Sequence, residues 1–160
     1  LLMLIWLRSK YKEVTIVYIA HSGNATRIKD EKDFFRVDAN GGTRFTDAYE
    51  LAEQIAMAEF FGDAWNKYAF HATDGYEQSP QGIAAAIDKL VRSGFNLFGY
   101  LEVDLWSGWG FSMGASPGWL SHDYLSADVK PRCGRARVKT MDEVPDAMKT
   151  IIDIENKPAA

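Results

Sequence analysis

Two short segments carry side chains that could bind a metal cation. In the first, Gly41-Gly42 precedes Thr43 at the start of a helical pattern. In the second, an apolar run ends on Asp74, which Gly75 follows. Hydroxyl and carboxylate oxygens are the hard donors that magnesium and manganese prefer. The two segments together predict a divalent-cation site for Mg²⁺ or Mn²⁺ with Thr43 and Asp74 as metal ligands.

Each of these residues also has an ordinary structural interpretation. Thr43 can cap a helix, and Asp-Gly is a common turn pair. His21 and His71 are candidates for two other roles, because imidazole can bind a metal or act as a general base. His71 has no acidic or histidine neighbour at ligand spacing in the sequence, which favours a half-buried, hydrogen-bonded histidine. His21 is open between the two roles, and Ser22-Gly23 after it is too weak a signal to predict a catalytic triad.

Predicted strands and helices alternate along the chain, and these elements must hold the candidate residues in position. β-rich apolar runs predict strands, and helical spacing of apolar positions predicts helices that end near glycine or begin near proline. The first residues, 1–7, have the composition of the end of a buried helix. The predicted strands are 14–20, 25–28, 67–73, 95–103 and 137–140, and the later helices are 46–60, 81–92 and 142–152.

This alternation predicts an α/β fold with an open, mainly parallel sheet and helices on both faces. Ligands of such sheets bind where the strands end, so His21, Thr43, Asp74 and Asp104 are expected to face one edge. We expect one domain over 1–154 and a tail over 155–160. The Trp- and Gly-rich segment 105–130 has no periodicity, and it could form a partner surface or pack over the sheet.

Composition limits the classes of function. The chain has 160 residues, a hydrophobic fraction of 47% and a formal net charge of −4, which argues against a general nucleic-acid surface. The basic run 130–137 could contact phosphate or an acidic partner, but a solvated loop is favoured because Pro and Gly interrupt it. Cys133 is the only cysteine, so no internal disulfide can form and a cytoplasmic location is expected. The apolar run Leu1 to Leu7 is too short to cross a membrane.

Several motifs resemble a bacterial family, the domain of unknown function 444, which has sporulation- and stress-associated members. The matching residues are Tyr18-Ile19-Ala20-His21, Ala25, Asp33-Phe34-Phe35, Gly41-Gly42-Thr43, Trp65-Asn66-Lys67-Tyr68, Thr73-Asp74-Gly75 and Leu97-Phe98-Gly99-Tyr100. The family tends to carry an acidic residue near Asn24, and an Asp-Gly-Asp-Asn run where this chain has Asp74-Gly75-Tyr76-Glu77.

The Thr43 and Asp74 segments also resemble the second and third parts of the metal-ion-dependent adhesion site of von Willebrand factor A domains. The resemblance implies an Asp-x-Ser-x-Ser motif after a first strand upstream of Leu1, and hence an N-terminally truncated chain that binds Mg²⁺ or Mn²⁺ weakly or not at all. It further implies a non-enzymatic module that captures an acidic residue of a protein partner. The resemblance to the domain of unknown function 444 implies that the module works beside a serine protein kinase of the AAA type.

A flavodoxin-like electron carrier is the alternative function. The strand before His21 and the loop from Ser22 to Thr26 superficially resemble a flavin-phosphate cradle. Such a loop should open onto an amphipathic helix, but the residues from Arg27 to Asp33 lack helical periodicity. We therefore expect colourless protein without flavin mononucleotide. A third possibility, a metal-dependent hydrolase, needs a carboxylate cluster that the sequence does not supply.

Overall fold

The computed structural model describes residues 2–37, 44–62, 64–75, 79–104 and 115–153. Helices and strands alternate through most of this part of the chain. In chain order they are α1 Leu2–Lys10, β1 Tyr18–His21, β2 Ala25–Ile28, α2 Glu31–Phe34, α3 Phe45–Glu59, β3 Lys67–Thr73, α4 Pro80–Arg92, β4 Phe95–Val103, α5 Pro117–Ser121, β5 Cys133–Val138 and α6 Val144–Ile152. Short 3₁₀ turns cover His122–Tyr124, Lys130–Arg132 and Met141–Glu143.

A three-stranded parallel sheet in the order β3-β4-β5 forms the centre of the fold. In its register Thr73 of β3 pairs with Glu102 of β4, and Val103 of β4 pairs with Val138 of β5. All three strands therefore end at the same edge. The predicted α/β class with a parallel sheet is confirmed.

Helices cover both faces of this sheet. On one face, α3 and α4 bury apolar side chains against β4, and Phe45, Ile83 and Phe98 belong to that core. On the other face, α6 packs Ile151 against Leu97 and its neighbours. Strand β4 supplies both cores because successive side chains of a strand point to opposite faces. Each fully buried large apolar side chain contributes about 1.5–3 kcal/mol of stability.

Strands β1 and β2 form a separate antiparallel pair, from Tyr18↔Ile28 to His21↔Ala25. The short edge strand 25–28 is confirmed, but the expectation that residues 14–20 form a strand of the parallel sheet is wrong. A tight turn in which the Ser22 N–H donates to the Asn24 carbonyl folds the chain straight back on itself. The apolar run predicted a strand, but the observed strand is shorter and half-buried. An apolar pattern also does not specify which strand is its partner.

The last strand also differs from its expected position. It covers Cys133–Val138 instead of 137–140, and the basic run expected to be a solvated loop is a 3₁₀ turn followed by β5. The loop interpretation is wrong because the arginines of β5 lie against acidic and aromatic partners that are distant in sequence. The helix expected over 142–152 is confirmed as Met141–Glu143 followed by α6, which has Pro145 in its first turn.

Within the described ranges, the helices are too short or too polar for any of them to cross a membrane.

Candidate functional site at the carboxyl edge of the sheet

Asp74 lies immediately after β3, at the carboxyl edge of the parallel sheet, and it is exposed. Two hydrogen bonds hold the turn that carries it. The Gly75 N–H donates to the Thr73 hydroxyl at 3.3 Å, and the Gly118 N–H donates to the Gly75 carbonyl at 3.1 Å. Strand β3 and the start of α5 therefore fix the backbone on both sides of an exposed carboxylate.

Gly75 is required at this turn for two reasons. Its φ of +90° lies in a region that side chains with a Cβ rarely adopt. A Cβ built on it would also lie 2.5 Å from the Ser116 Oγ and 2.6 Å from the Glu102 Oε2. The backbone after Asp74 consequently packs directly on a buried polar cluster.

Thr43 lies outside the described residues, so its predicted position beside Asp74 stays a prediction. The next residue, Arg44, donates its backbone N–H to the Ser22 carbonyl at 3.3 Å, which joins the start of α3 to the β1–β2 turn. Arg44 also pairs with Asp47 at 3.3 Å. Among the described residues no three His, Cys, Asp or Glu side chains form a metal-binding group.

The structure brings His21 and His71 together although fifty positions separate them. The two Nε2 atoms lie 2.7 Å apart, and the Nδ1 of His71 lies 2.8 Å from the Tyr49 hydroxyl. Both imidazoles are partly buried, and the ring of Phe45 packs edge-on against each of them. The sequence expectation that His71 is half-buried and hydrogen-bonded is confirmed.

Burial keeps both imidazoles neutral. It lowers the pKa of His71 to about 3, with a further contribution from a charge on His21. Burial also lowers the pKa of His21, while the negative charge of Asp74 acts in the opposite direction. The pair therefore offers nitrogen lone pairs at neutral pH, close to the Asp74 carboxylate.

A buried polar cluster centred on Glu102 packs against the backbone of Gly75 at this edge. Glu102 is 4% exposed, and its Oε2 accepts hydrogen bonds from the Tyr100 hydroxyl at 3.0 Å and from the Ser116 hydroxyl. Ser116 also caps α5 by accepting from the Trp119 N–H at 3.0 Å. Burial, followed by the charge of Glu102, raises the pKa of Tyr100, so that its hydroxyl keeps the proton it donates.

Arg137 balances the charge of Glu102. Its Nη2 lies 2.6 Å from the Glu102 Oε1, and its guanidinium lies over the Trp119 ring at 4.6 Å. The Nε and Nη2 atoms are buried without a hydrogen bond of good geometry in the described structure, so the contact is electrostatic. Arg135 lies over the same ring and donates to the Trp119 carbonyl. Cation–π contacts of this kind contribute about 0.5–2 kcal/mol.

Comparison with known proteins identifies the family of this chain. A family model described as "Protein of unknown function (DUF444)" matches residues 1–155. The chain belongs to the DUF444 family. The match covers the β1–β2 hairpin, the parallel sheet and the residues that surround Asp74, which confirms the family resemblance seen in the sequence.

Bacterial relatives carry the family name UPF0229 protein. One from Ruminiclostridium cellulolyticum is 29% identical over 150 residues, covering 92% of this chain and 36% of the relative. One from Bradyrhizobium diazoefficiens is 32% identical over 134 residues, covering 82% and 31%. One from Shouchella clausii is 37% identical over 105 residues, covering 64% and 26%. The chain thus spans about a third or less of the length of these relatives. Neither family name denotes an enzymatic activity.

The Glu102 cluster of this DUF444 chain is not among the sites predicted from its sequence. The signal available was a glutamate inside the apolar run of β4, because a charged residue in a buried strand requires a partner. The contact between His21 and His71 is also absent from the sequence predictions, because the sequence offers no local signal for it. Asp104 follows β4 at the expected edge, where its N–H donates to the Val138 carbonyl at 2.8 Å.

Proposed function

We propose that this chain is a non-enzymatic, protein-binding module that uses the carboxyl edge of its parallel sheet. Asp74 holds a divalent cation there, and the open position of the cation takes a carboxylate from a protein partner. The observation that carries this proposal is an exposed carboxylate at the end of a half-buried parallel strand, on a backbone fixed by Gly75 and Gly118. Ligand sites of open α/β sheets gather at this edge.

The donor chemistry of the edge suits Mg²⁺ or Mn²⁺. These cations need few protein ligands, because magnesium keeps several waters and is commonly bound by one or two carboxylates. Asp74 would provide such a carboxylate, and Thr43 remains the proposed hydroxyl ligand on the ground of the sequence pattern. Following the resemblance to von Willebrand A domains, additional ligands would come from an upstream Asp-x-Ser-x-Ser motif. The cation would supply positive charge to bind an anionic group.

The wider setting is also part of the proposal. The family resemblance supports a role in bacterial stress or sporulation signalling beside a serine protein kinase. Cys133, the single cysteine, is buried and free, which suits a cytoplasmic location. We propose neither a nucleic-acid nor a membrane partner, since the net charge is −4.

The flavodoxin-like alternative loses its main structural support. A phosphate loop delivers its anion to the N-terminus of the helix that follows. The turn at Ser22–Asn24 instead leads directly into strand β2. We therefore retain the expectation that the purified protein is colourless.

Manganese binding, followed by electron paramagnetic resonance, tests the cation site. We expect weak binding by the chain itself, loss of binding in Asp74→Ala, and a smaller decrease in Thr43→Ala because a neutral hydroxyl attracts a cation less than a carboxylate does. Asp128→Ala is the matched control, since Asp128 is an exposed carboxylate that precedes β5, at the amino edge of the sheet. Equal binding by the parent and Asp74→Ala would show that Asp74 is not a ligand.

Partner capture can be tested with a poly-glutamate peptide as a carboxylate probe, using protein extended by the upstream segment of a UPF0229 relative. Binding should require Mg²⁺ or Mn²⁺, disappear with chelator and be lost in Asp74→Ala. Peptide binding that is indifferent to chelator would contradict a cation-mediated mechanism.

A further inference from the structure

We propose that His21 and His71 form a second metal site, which takes a borderline-soft divalent cation such as Zn²⁺ through their two Nε2 atoms. This proposal does not rest on the cation site at Asp74. The ligands are nitrogen atoms instead of oxygen atoms, and the expected metal is of a different class, because imidazole suits zinc and its neighbours whereas carboxylate and hydroxyl suit magnesium.

The geometry of the pair is the first support. The two Nε2 atoms point at each other across 2.7 Å, from the end of β1 and from within β3. A tetrahedral zinc with Zn–N distances of about 2.0–2.1 Å requires about 3.3 Å between two ligand nitrogens. The rings must therefore separate by about 0.6 Å, and each must also turn so that the two lone pairs, which point at each other, converge on the ion at a tetrahedral angle. β1 belongs to the two-stranded hairpin and not to the parallel sheet, so this adjustment breaks no strand pairing.

The hydrogen bond between His71 and Tyr49 is the second support. Metal-bound histidines characteristically use their other ring nitrogen in a hydrogen bond that fixes the tautomer and the ring orientation. The Nδ1 of His71 makes this bond to the Tyr49 hydroxyl at 2.8 Å. When Nδ1 carries the proton and donates it to Tyr49, the His71 Nε2 presents its lone pair towards His21. Tyr49 is buried in α3 and is thus a positioning residue for the site.

Metal binding requires a change in where the pair carries its hydrogen. A metal ligand must be unprotonated at the binding nitrogen. In the metal-free pair, one of the two Nε2 atoms carries the hydrogen of the hydrogen bond between them. When the His71 proton is on Nδ1, this hydrogen is on the His21 Nε2. Zinc binding requires that hydrogen to move from the His21 Nε2 to its Nδ1, which is buried and has no hydrogen-bond partner among the described residues. The unpaired N–H lowers the zinc affinity, but the two imidazoles stay neutral and no net proton is released.

The charges around the pair also favour a cation. Asp74 acts electrostatically on His21 and adds a negative charge nearby. The other rings packed against His71 belong to Phe45, Tyr49 and Tyr100 and carry no positive charge. We expect waters to complete the coordination of the ion, as they do at zinc sites with an open position.

Calorimetric titration of the 160-residue chain with ZnCl₂, in the presence of excess Mg²⁺, tests the proposal. We expect one Zn²⁺ per chain that Mg²⁺ does not displace. His21→Gln and His71→Gln should each abolish this binding. Tyr49→Phe keeps both ligands and should weaken binding by about tenfold to a hundredfold, as loss of a ligand's hydrogen-bond partner typically does.

The matched control is His122→Gln, which removes the third of the three histidines. His122 is also partly buried, but it contacts the Cys133 carbonyl at 2.9 Å, away from the pair. It should keep the parental zinc affinity. Should His71→Gln fail to fold, His21→Gln still decides the question, and imidazole ¹⁵N spectra of the parent provide a second readout in which zinc shifts the Nε2 signals of His21 and His71.

Parent protein that binds no zinc, or His21→Gln with parental affinity, would overturn the proposal. Zinc binding that is lost in Asp74→Asn but kept in His21→Gln would assign the ion to the oxygen site and would equally refute it. Failure of the manganese experiment at Asp74 leaves this site unaffected, so the two proposals can fail separately.

Discussion

Glu102 of β4 and Arg137 of β5 are register partners in the parallel sheet, and their side chains form an ion pair with an Nη2–Oε1 distance of 2.6 Å. The Glu102 side chain is 5% exposed and that of Arg137 is 28% exposed. The carboxylate also accepts from Tyr100 and Ser116. This pair therefore links the two strands to α5, which packs against the Asp74 turn.

Glu102→Gln should destabilise the protein by about 2 kcal/mol, because Arg137 would be left without its counter-charge. Breaking a buried pair costs about 3–5 kcal/mol, and the partial exposure of Arg137 reduces this value. Urea unfolding measures the change. The control is Glu59→Gln, which removes an exposed ion pair with Arg27 and should change stability little. Equal effects of the two substitutions would contradict the buried role of Glu102.

Gly99→Ala should destabilise the protein by about 1–3 kcal/mol through overpacking. A Cβ at this position would lie 2.6 Å from both the Ile151 Cγ2 and the Phe70 Cδ1, where α6 packs on the sheet. Thermal unfolding provides the measurement. Gly23→Ala, in the β1–β2 turn, is the matched control because nothing lies within 4 Å of its added Cβ. An unchanged melting temperature for Gly99→Ala would show that α6 packs less closely than described.

Acid should destabilise the fold partly through His71. Its folded-state pKa of about 3 lies below the ordinary value of 6.5, so the unfolded chain binds more protons between these values. The contribution of neutral His71 to the free energy of unfolding is fully present above pH 6.5. It is lost as the pH falls towards 3, by up to about 1.4 kcal/mol per pH unit. His71→Gln should lower the slope of stability against pH between pH 6 and pH 4.5. An unchanged slope would mean that His71 titrates normally.

Cys133 should resist thiol reagents in the folded protein. It is 2% exposed, and burial raises its pKa to about 12, so the reactive thiolate is scarce at neutral pH. Ellman's reagent at pH 8 should react slowly with native protein and at once after unfolding in urea. Rapid labelling of native protein would contradict the buried position of this thiol beneath Val129 and α4.

The parts of the fold that sequence predicted well are those with a local apolar pattern. Strands 67–73 and 95–103 were placed at their observed bounds, because both are apolar runs bounded by turn residues. Helix α4 was predicted within one residue, since its apolar face repeats at helical spacing and Gly94 follows its end. Strand pairing was predicted less well, because β1 has the composition of a parallel strand but pairs with its neighbour in a hairpin.

The sequence by itself determined the α/β class, the family, and the position of Asp74 at the end of a strand of the parallel sheet, since these depend on local composition and on motifs. Tertiary structure alone decided that His21 meets His71 and that Glu102 meets Arg137 and Ser116. Such contacts depend on how strands and helices pack across long stretches of chain. A side chain's type shows that it needs a partner, but only the packed fold determines which residue that partner is.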